Sequence, residues 1–384
     1  MHRPLIYLDN NATTRPSESV CAAVQRACSE LWANPSSVHR EGQRVRAAVE
    51  LARAEVAALI GAEPKELTFT SGGTESIHLA LRGVLATSKT PVLATTAIEH
   101  AAIRDLAAQL EKYGGVQVHW LPLKPGGLID LDAAAPLIAS ATLVSVQWAN
   151  NETGVIQPVG EIATLCQSAG VPFHCDATQW VGRMPLDLNA SPSVGVDLMT
   201  FSAHKFHGPK GVGALWVRKG LGVRPTMPGS HELGRRGGTE NVPGILGMGA
   251  AAIEAGQWLA RPGERDRLAG MRDRFETKIE SRCPSAAINA PPGRAPRLWN
   301  TTNIGFSRLE AEALLMLLSE RGVCASAGAA CSSGSLDPSP VLLAMGVRPE
   351  VAHGSIRMSL SRETTPEELD RAVEIIVEAV ERLT

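Results

Sequence analysis

The stretch Phe201-Ser-Ala-His-Lys-Phe-His-Gly-Pro-Lys-Gly-Val-Gly-Ala-Leu215 places Lys205 between a Ser-Ala-His segment and a run of glycines. A lysine in a crowded site beside other cations loses proton affinity, and it can then form a Schiff base with an aldehyde cofactor. Ser202 and His204 are neighbours of the kind that hydrogen-bond a phosphate. Taken alone, the stretch is more typical of a surface turn, because most lysines are exposed. The rest of the chain must decide between the two interpretations.

Strand-like and helix-like segments alternate on the N-terminal side of this stretch. The alternation predicts βαβ units and an α/β fold with a mainly parallel sheet. Polar side chains that follow the predicted strands are Thr74, His100, Asn151, Asp176 and Lys205. In open α/β sheets ligands bind outside the carboxyl ends of the strands, so we expect these five residues to line one site.

The pattern changes after about residue 257, where a charged helix, a loop and shorter strand–helix units follow. A chain of 384 residues is long enough for two domains, so we predict a second, smaller α/β domain in the C-terminal part. The formal net charge is 37 − 39 = −2, which provides no basic field for nucleic acid.

No signal peptide or membrane-spanning run is evident, so we expect a cytoplasmic location and no membrane partner. The seven cysteines are odd in number and irregularly spaced, which argues against a disulfide framework. C-x-x-C and H-E-x-x-H motifs are absent from the sequence, so no metal site is expected.

Several residues have the chemistry needed to hold an aromatic, phosphorylated cofactor. The Gly72-Gly-Thr74 turn leads from a strand into a helix, and it is either a phosphate site or an ordinary tight turn. Asp176 would pair with a protonated pyridine nitrogen or cap a helix. His100 would stack on a flat ring and transfer protons, or be a structural histidine. Gln179 lies one helical turn beyond Asp176 and could reach the phenolic oxygen of the ring.

Two further residues suggest how a substrate would be handled. Arg357 lies in the strand-like segment Ser355-Ile-Arg-Met-Ser-Leu360, and it would bind a substrate carboxylate or form a structural salt bridge. Cys331 lies in the small-residue stretch Ser326-Ala-Gly-Ala-Ala-Cys-Ser-Ser-Gly-Ser335, where a thiol is accessible and can ionise. Cysteines in apolar or strand-like surroundings are predicted to be packing residues: Cys166, Cys175 and Cys324.

Taken in order, these motifs resemble the NifS/IscS-type cysteine desulfurases, which are pyridoxal-phosphate enzymes of the class V aminotransferases with fold type I. The resemblance covers essentially the whole chain. Its motifs are Leu8-Asp-Asn-Asn-Ala-Thr-Thr14, Asn34-Pro-Ser-Ser-Val-His39, Thr70-Ser-Gly-Gly-Thr-Glu75, Glu99-His100, Asn150-Asn-Glu-Thr-Gly154, His174-Cys-Asp-Ala-Thr-Gln179, Ser202-Ala-His-Lys205, Gly208-Pro-Lys-Gly211, Arg236-Gly-Gly-Thr-Glu-Asn241 and His353-Gly-Ser-Ile-Arg357. Cys324-Ala-Ser326 and Gly237-Gly-Thr-Glu-Asn241 look closer to NifS than to IscS.

The resemblance implies the pyridoxal-phosphate-dependent transferase fold type I. A large cofactor-binding domain with a mainly parallel sheet would cover residues 16–257. A smaller α/β domain would comprise residues 1–15 and 258–384 and carry the catalytic-cysteine loop at about 322–335. The chain departs from the usual family pattern at Ile77-His78 and in Met227-Pro-Gly-Ser230, and none of these departures touches a residue assigned to the chemistry.

The resemblance also implies a role for each candidate residue. Lys205 would carry the cofactor, His100 would stack on its ring and transfer protons, and Cys331 would receive the sulfur as a persulfide. The other cofactor contacts would be Gly73, Thr74, Asn151, Asp176, Gln179, Ser202, His204 and, from the second subunit of a homodimer, Thr239. The substrate carboxylate would be bound by Arg357, Asn34 and Asn151.

The implied activity is conversion of L-cysteine to L-alanine, with the sulfur passed to an iron–sulfur scaffold or another sulfur-acceptor protein. Alternatives of the same class are a selenocysteine lyase, another pyridoxal-phosphate-dependent C–S lyase and a simple aminotransferase. A different class is a non-catalytic partner in sulfur transfer. The joint presence of Lys205, Asp176 and Cys331 argues against that last alternative, because binding alone does not require all three.

Overall fold

The computed structural model describes residues 5–188, 195–290, 296–327 and 337–384. Its strands are β1 (Ile6–Tyr7), β2 (Leu67–Thr70), β3 (Val92–Thr95), β4 (Gln117–Trp120), β5 (Leu143–Gln147), β6 (Phe173–Asp176), β7 (Leu198–Ser202), β8 (Gly213–Val217), β9 (Ala286–Ile288), β10 (Thr301–Phe306), β11 (Val323–Cys324) and β12 (Ser355–Ser359). Its α-helices are α1 (Glu18–Ser29), α2 (Arg40–Leu59), α3 (Gly73–Leu85), α4 (Ala101–Tyr113), α5 (Leu131–Ala139), α6 (Val159–Ala169), α7 (Val242–Leu259), α8 (Glu264–Arg282), α9 (Ala311–Glu320), α10 (Pro340–Ala344), α11 (Pro349–Ala352) and α12 (Pro366–Leu383).

A seven-stranded sheet with the order β2-β8-β7-β6-β5-β3-β4 organises the larger part of the chain. The strands from β4 to β7 pair in parallel, whereas β8 is antiparallel to both β2 and β7. The prediction of an α/β fold with a mainly parallel sheet is therefore confirmed. Strands β5 to β8 are buried along their whole length, as expected for the central strands of a sheet that is covered on both faces.

Both faces of this sheet are covered. Residues on one face, such as Val144 and Met199, pack in a core with α2, α6 and α7. Their neighbours Leu143 and Leu198 point to the other face and pack against α3 and α4. This alternation of side chains along a strand is what allows one sheet to support two helical layers.

A second core surrounds the antiparallel sheet β12-β10-β9. It contains side chains of α8, α9 and α12, and Ile6 and Leu8 from the start of the chain pack into it. The division into residues 16–257 and residues 1–15 with 258–384 stays a prediction, which this packing supports. Within the described ranges, no helix has the length and apolarity required to cross a membrane.

The carboxyl ends of the parallel strands place the candidate residues along one edge. Thr74 lies in the first turn of α3 and His100 is the N-cap residue of α4. Asp176 ends β6, and Lys205 lies in a short 3₁₀ turn directly after β7. At this edge Gly213 allows two chain segments to meet, because a Cβ there would lie 2.6 Å from the carbonyl carbon of Gly72.

Candidate active site

A cavity of about 240 Å³ opens at the carboxyl edge of the large sheet. The predicted site residues that line it are Gly73, Thr74, His100, Asn151, Asp176, Gln179, Ser202, His204 and Lys205. Residues from five separate strand ends therefore meet in one cavity, as the parallel arrangement requires. Ile77, at which the chain departs from the usual family pattern, also lies in the cavity wall.

The Lys205 amine is held at the floor of this cavity by backbone carbonyls. Nζ donates to the oxygen of Asn11 at 2.6 Å and to that of Ala12 at 2.9 Å. Desolvation, together with the positive charges of Arg183 and Arg357, lowers the pKa of Lys205 from 10.5 to about 7. A substantial fraction of the side chain is therefore an uncharged amine near neutral pH, which is the nucleophilic form.

Asp176 is oriented by a network of hydroxyl groups. Its Oδ1 accepts from the Thr178 amide at 3.1 Å, from Thr178 Oγ1 at 2.5 Å and from Thr200 Oγ1 at 3.3 Å. Thr200 in turn contacts Nε2 of the buried His174 at 3.1 Å. Among the described residues every hydrogen bond to this carboxylate engages Oδ1, which leaves Oδ2 for a cationic or N–H group in the cavity.

His100 has a defined tautomer. Its Nδ1 accepts a hydrogen bond from the backbone N–H of Ala102 at 3.1 Å, so the ring proton lies on Nε2. Desolvation lowers the pKa of His100, although the charge of Asp176 opposes this effect. The ring is therefore a neutral imidazole at neutral pH, which can stack on a flat ligand and exchange a proton through Nε2.

The opposite end of the cavity has the composition of an anion site. The N-terminus of α3 begins at Gly73, and a Cβ at that position would lie 3.4 Å from Thr178 Oγ1 and 3.8 Å from Ser202 Cβ. Desolvation, followed by the charge of Lys205, lowers the pKa of His204 to about 3, so this imidazole is neutral. Backbone N–H groups at a helix start together with hydroxyl and imidazole groups form a typical phosphate cradle.

Asn151 and Arg357 connect the cavity to the second core. Arg357 is only 2% exposed, and its guanidinium donates to Asn151 O at 3.2 Å and to Asp9 Oδ1 at 2.7 Å. The sequence left a structural salt bridge as an alternative for Arg357, and Asp9 is such a partner. Asn151 Oδ1 is buried without a hydrogen-bond partner among the described residues, so it can accept a hydrogen bond from a ligand at this wall of the cavity.

Three predicted site residues in the described ranges do not line this cavity: Arg357, Asn34 and Thr239. Asn34 is exposed, and its side chain caps the turn at Ser36. Thr239 is also exposed, and it lines a second cavity of about 150 Å³ beside Ser71 and Arg236. Cys331 lies outside the described residues. Ser326, five positions before it, is paired through backbone hydrogen bonds with Arg357. The roles assigned to all the predicted site residues stay predictions.

The predicted packing cysteines divide into two groups. Cys166 and Cys175 are buried, and burial raises the pKa of each thiol, for Cys166 to about 12. Cys324 is only partly buried, although desolvation still raises its pKa. These thiols therefore lack the ionised, accessible form that a nucleophile needs.

Two further functional candidates, Asn11 and Arg183, were not predicted from the sequence. The carbonyl of Asn11 accepts from Lys205 and from Gln179, and its side chain bonds to Arg183, Thr301 and the backbone of Asn151. Asn11 lies within the quoted motif at residues 8–14, which was the available signal. Arg183 follows the quoted motif at residues 174–179 by four positions, and nothing in the sequence marks it as buried.

Comparisons with known proteins agree with this geometry. The family model "Aminotransferase class-V" matches residues 6–372. The chain is 46% identical to "Cysteine desulfurase 2" of Trichormus variabilis, over 99% of this chain and 94% of that protein. It is 43% identical to "Cysteine desulfurase NifS" of Azotobacter vinelandii, over 98% and 93% respectively. A solved structure described as "NIFS-LIKE PROTEIN" superposes with a TM-score of 0.90 at 35% identity, covering 99% of this chain and all of that one.

The family match and the resemblance inferred from the motifs thus lead to the same assignment: the chain belongs to the class-V aminotransferase family, whose members depend on pyridoxal 5'-phosphate.

Proposed function

We propose that this chain is a cysteine desulfurase, which converts L-cysteine to L-alanine and transfers the sulfur to Cys331. The observation that carries the proposal is the single cavity in which Lys205, Asp176 and His100 meet, in a chain similar over nearly its whole length to named cysteine desulfurases. An amine nucleophile, a carboxylate and a neutral imidazole form the set that pyridoxal-phosphate chemistry requires.

The cavity fits this cofactor at each of its polar groups. The phosphate cradle would hold the phosphate, Oδ2 of Asp176 would pair with the ring nitrogen, and the amine of Lys205 would hold the aldehyde carbon. The unsatisfied Asn151 Oδ1 provides a further contact. When bound, pyridoxal phosphate supplies an electron sink for the bonds that must break in the substrate.

The residues around the cavity would divide the remaining tasks. Arg357 would bind the substrate carboxylate, since its guanidinium lies beside Asn151 and already holds one carboxylate, that of Asp9. Lys205, once the substrate amine has taken its place, would remove the proton from the substrate Cα through Nζ. His100, with its proton on Nε2, would supply or accept a proton at the substrate.

The sulfur step balances without an external oxidant. The Sγ of Cys331 forms a bond to the substrate sulfur as the Cβ–S bond breaks. The electron pair of that bond remains on Cβ, which takes up a proton and becomes the methyl group of L-alanine. Carbon is reduced by two electrons and the two sulfur atoms together are oxidised by two. The proton on Cys331 before the reaction is balanced by the one gained at Cβ.

The remaining parts of the proposal concern partners. A homodimer is supported by Asn34 and Thr239, which are exposed in one chain although the resemblance assigns them to an active site. The persulfide sulfur would pass to an iron–sulfur scaffold or another sulfur-acceptor protein. The ordinary balance of charges gives no support for a nucleic-acid partner.

Incubation of the cofactor-loaded protein with L-cysteine should produce L-alanine together with one added sulfur atom on the Cys331 peptide. Mass spectrometry of that peptide and an alanine assay measure the two products. Competition between L-cysteine and selenocysteine as substrates distinguishes a cysteine desulfurase from a selenocysteine lyase. Pyruvate formed by amino-group transfer would indicate an aminotransferase. A protein that binds the cofactor and forms no alanine would contradict the proposal.

Asp176→Asn should lower alanine formation by about 10²-fold, because an amide cannot balance the charge of a protonated ring nitrogen. The hydroxyl network from Thr178 and Thr200 can still hold the side chain, so the protein should fold and bind the cofactor. Steady-state alanine formation and the cofactor absorption spectrum measure the two expectations. Asp132→Asn, which changes an exposed carboxylate of α5, is the matched control. Full activity of Asp176→Asn would exclude the assigned role.

A further inference from the structure

Arg183 is a buried cation that is satisfied entirely by neutral oxygen atoms. Its Nε donates to the backbone oxygen of Lys205 at 3.1 Å, and one terminal nitrogen donates to the backbone oxygen of Asn10 at 2.8 Å. The other terminal nitrogen donates to Asn11 Oδ1 at 2.7 Å and to Gln179 Oε1. In the described ranges no carboxylate oxygen lies within 4.0 Å of this guanidinium. Burial of a cation without an anionic partner is unfavourable, so the arrangement needs a reason.

The contacts of Arg183 converge on the cavity. Lys205 and Gln179, which accept hydrogen bonds from Arg183, both line the cavity, and Asn11, which also accepts from Arg183, receives a hydrogen bond from the Lys205 amine. Arg183 itself does not line the cavity. Any influence that it has on the reaction must therefore act through these neighbours.

We propose that Arg183 is a positioning residue for the reaction, which fixes the orientation of the Gln179 amide and places a positive charge near the Lys205 amine. The inference deepens the proposed function and rests on it. It concerns a residue that does not line the cavity.

The orientation of Gln179 follows from hydrogen-bond chemistry. Arginine donates only, so the atom of Gln179 that faces Arg183 must be the carbonyl oxygen Oε1. The amide nitrogen Nε2 is thereby turned toward Asn11 O, at 3.1 Å, and Gln179 lines the cavity. An ionised phenolic oxygen needs a donor, and this orientation provides one. Without Arg183 the amide could rotate and present its oxygen, which would repel that group.

The positive charge acts on Lys205. After desolvation, the charge of Arg183 is the largest influence that lowers the pKa of Lys205 to about 7. Arg357 acts in the same direction, whereas Asp176 and Asp9 raise this pKa. Loss of the Arg183 charge favours the ammonium form, so the Lys205 pKa should rise. The fraction of free amine near neutral pH should then fall.

The test compares Arg183→Met with Arg183→Lys. In cofactor-free protein, the rate of reductive alkylation of Lys205 by a small aldehyde is followed against pH by peptide mass spectrometry. Arg183→Met should move the midpoint of this pH profile upward by about one pH unit. At pH values below the midpoint, that shift is a tenfold loss of reactive Lys205 amine. Arg183→Lys keeps the charge and should restore the midpoint. Arg272→Met, which removes a buried arginine from the second core, is the control and should leave the midpoint unchanged.

The second readout is the absorption spectrum of the bound cofactor, which reports on the hydrogen bond to its phenolic oxygen. Arg183→Met and Gln179→Ala should change it in the same way, and the double variant should change it no further. If Arg183→Met does not fold, Arg183→Lys still tests the orientation of Gln179. Lysine keeps the charge but lacks the paired donors of the planar guanidinium, so the spectrum should still change. Folded Arg183→Met with the wild-type midpoint and spectrum overturns the inference. A wild-type protein that forms no alanine overturns the proposed function and leaves the alkylation measurement valid.

Discussion

Replacement of Lys205 by alanine should abolish covalent attachment of pyridoxal phosphate and lower alanine formation by at least about 10³-fold. The Lys205 amine is the only lysine nitrogen that lines the cavity in the described part of the chain, so no other amine can hold the cofactor aldehyde. The same amine is the proposed base at the substrate Cα, and one substitution therefore removes two functions. Borohydride reduction followed by mass spectrometry detects the covalent link, and an amino-acid assay measures alanine.

The matched control is Lys219→Ala, because Lys219 is exposed after β8 and should tolerate the change. A Lys205→Ala protein that retains a borohydride-stable link to the cofactor would show that the anchor is elsewhere.

The pH dependence of stability gives an independent check of the environment of Lys205. Since its pKa is lowered from 10.5 to about 7, the unfolded chain binds more protons between these pH values. The cofactor-free wild type should therefore become more stable as the pH rises through that window, and Lys205→Ala should lose this dependence.

The position of the site could be predicted from the sequence because of how parallel strands are arranged. Asp176 ends one buried strand and Lys205 follows another, and parallel neighbours such as β6 and β7 bring their carboxyl ends to one edge. The type of side chain at the carboxyl end of each strand then suggested its chemical role. No knowledge of loop conformation was needed for Thr74, His100, Asp176 and Lys205.

Contacts made by loops could not be predicted in this way. Asn11 hydrogen-bonds to both Lys205 and Thr301, which are separated by almost a hundred residues. A periodic sequence pattern cannot predict such a long-range contact. Arg183 has a long charged side chain of a type that is rarely buried, so its sequence favours exposure. Helix α5 was not predicted either, because Pro136 lies inside it and proline is unfavourable in a helix interior.

Replacement of Cys331 by serine should leave the bound cofactor unchanged and lower persulfide and alanine formation by at least about 10³-fold. A hydroxyl at this position is essentially un-ionised at neutral pH and has no sulfur with which to form an S–S bond. The substrate should still bind, since the proposed contacts of Arg357, Lys205 and Asp176 remain. The experiment combines the absorption spectrum after addition of L-cysteine with assays for alanine and for protein-bound sulfur.

Variants of two other cysteines are the controls that make this prediction specific to Cys331. Cys21→Ser changes an exposed cysteine and Cys324→Ser changes the one that precedes Cys331 by seven positions, and both variants should retain alanine formation. Cys324 pairs with Tyr7 through the backbone beside Asp9, whose charge together with burial raises the thiol pKa. It is therefore a poor nucleophile although it is close in sequence. Full alanine formation by Cys331→Ser combined with its loss in Cys324→Ser would move the sulfur acceptor to Cys324. If neither Cys331→Ser nor Cys324→Ser loses activity, sulfur leaves the substrate without attack by either thiol, as in a C–S lyase.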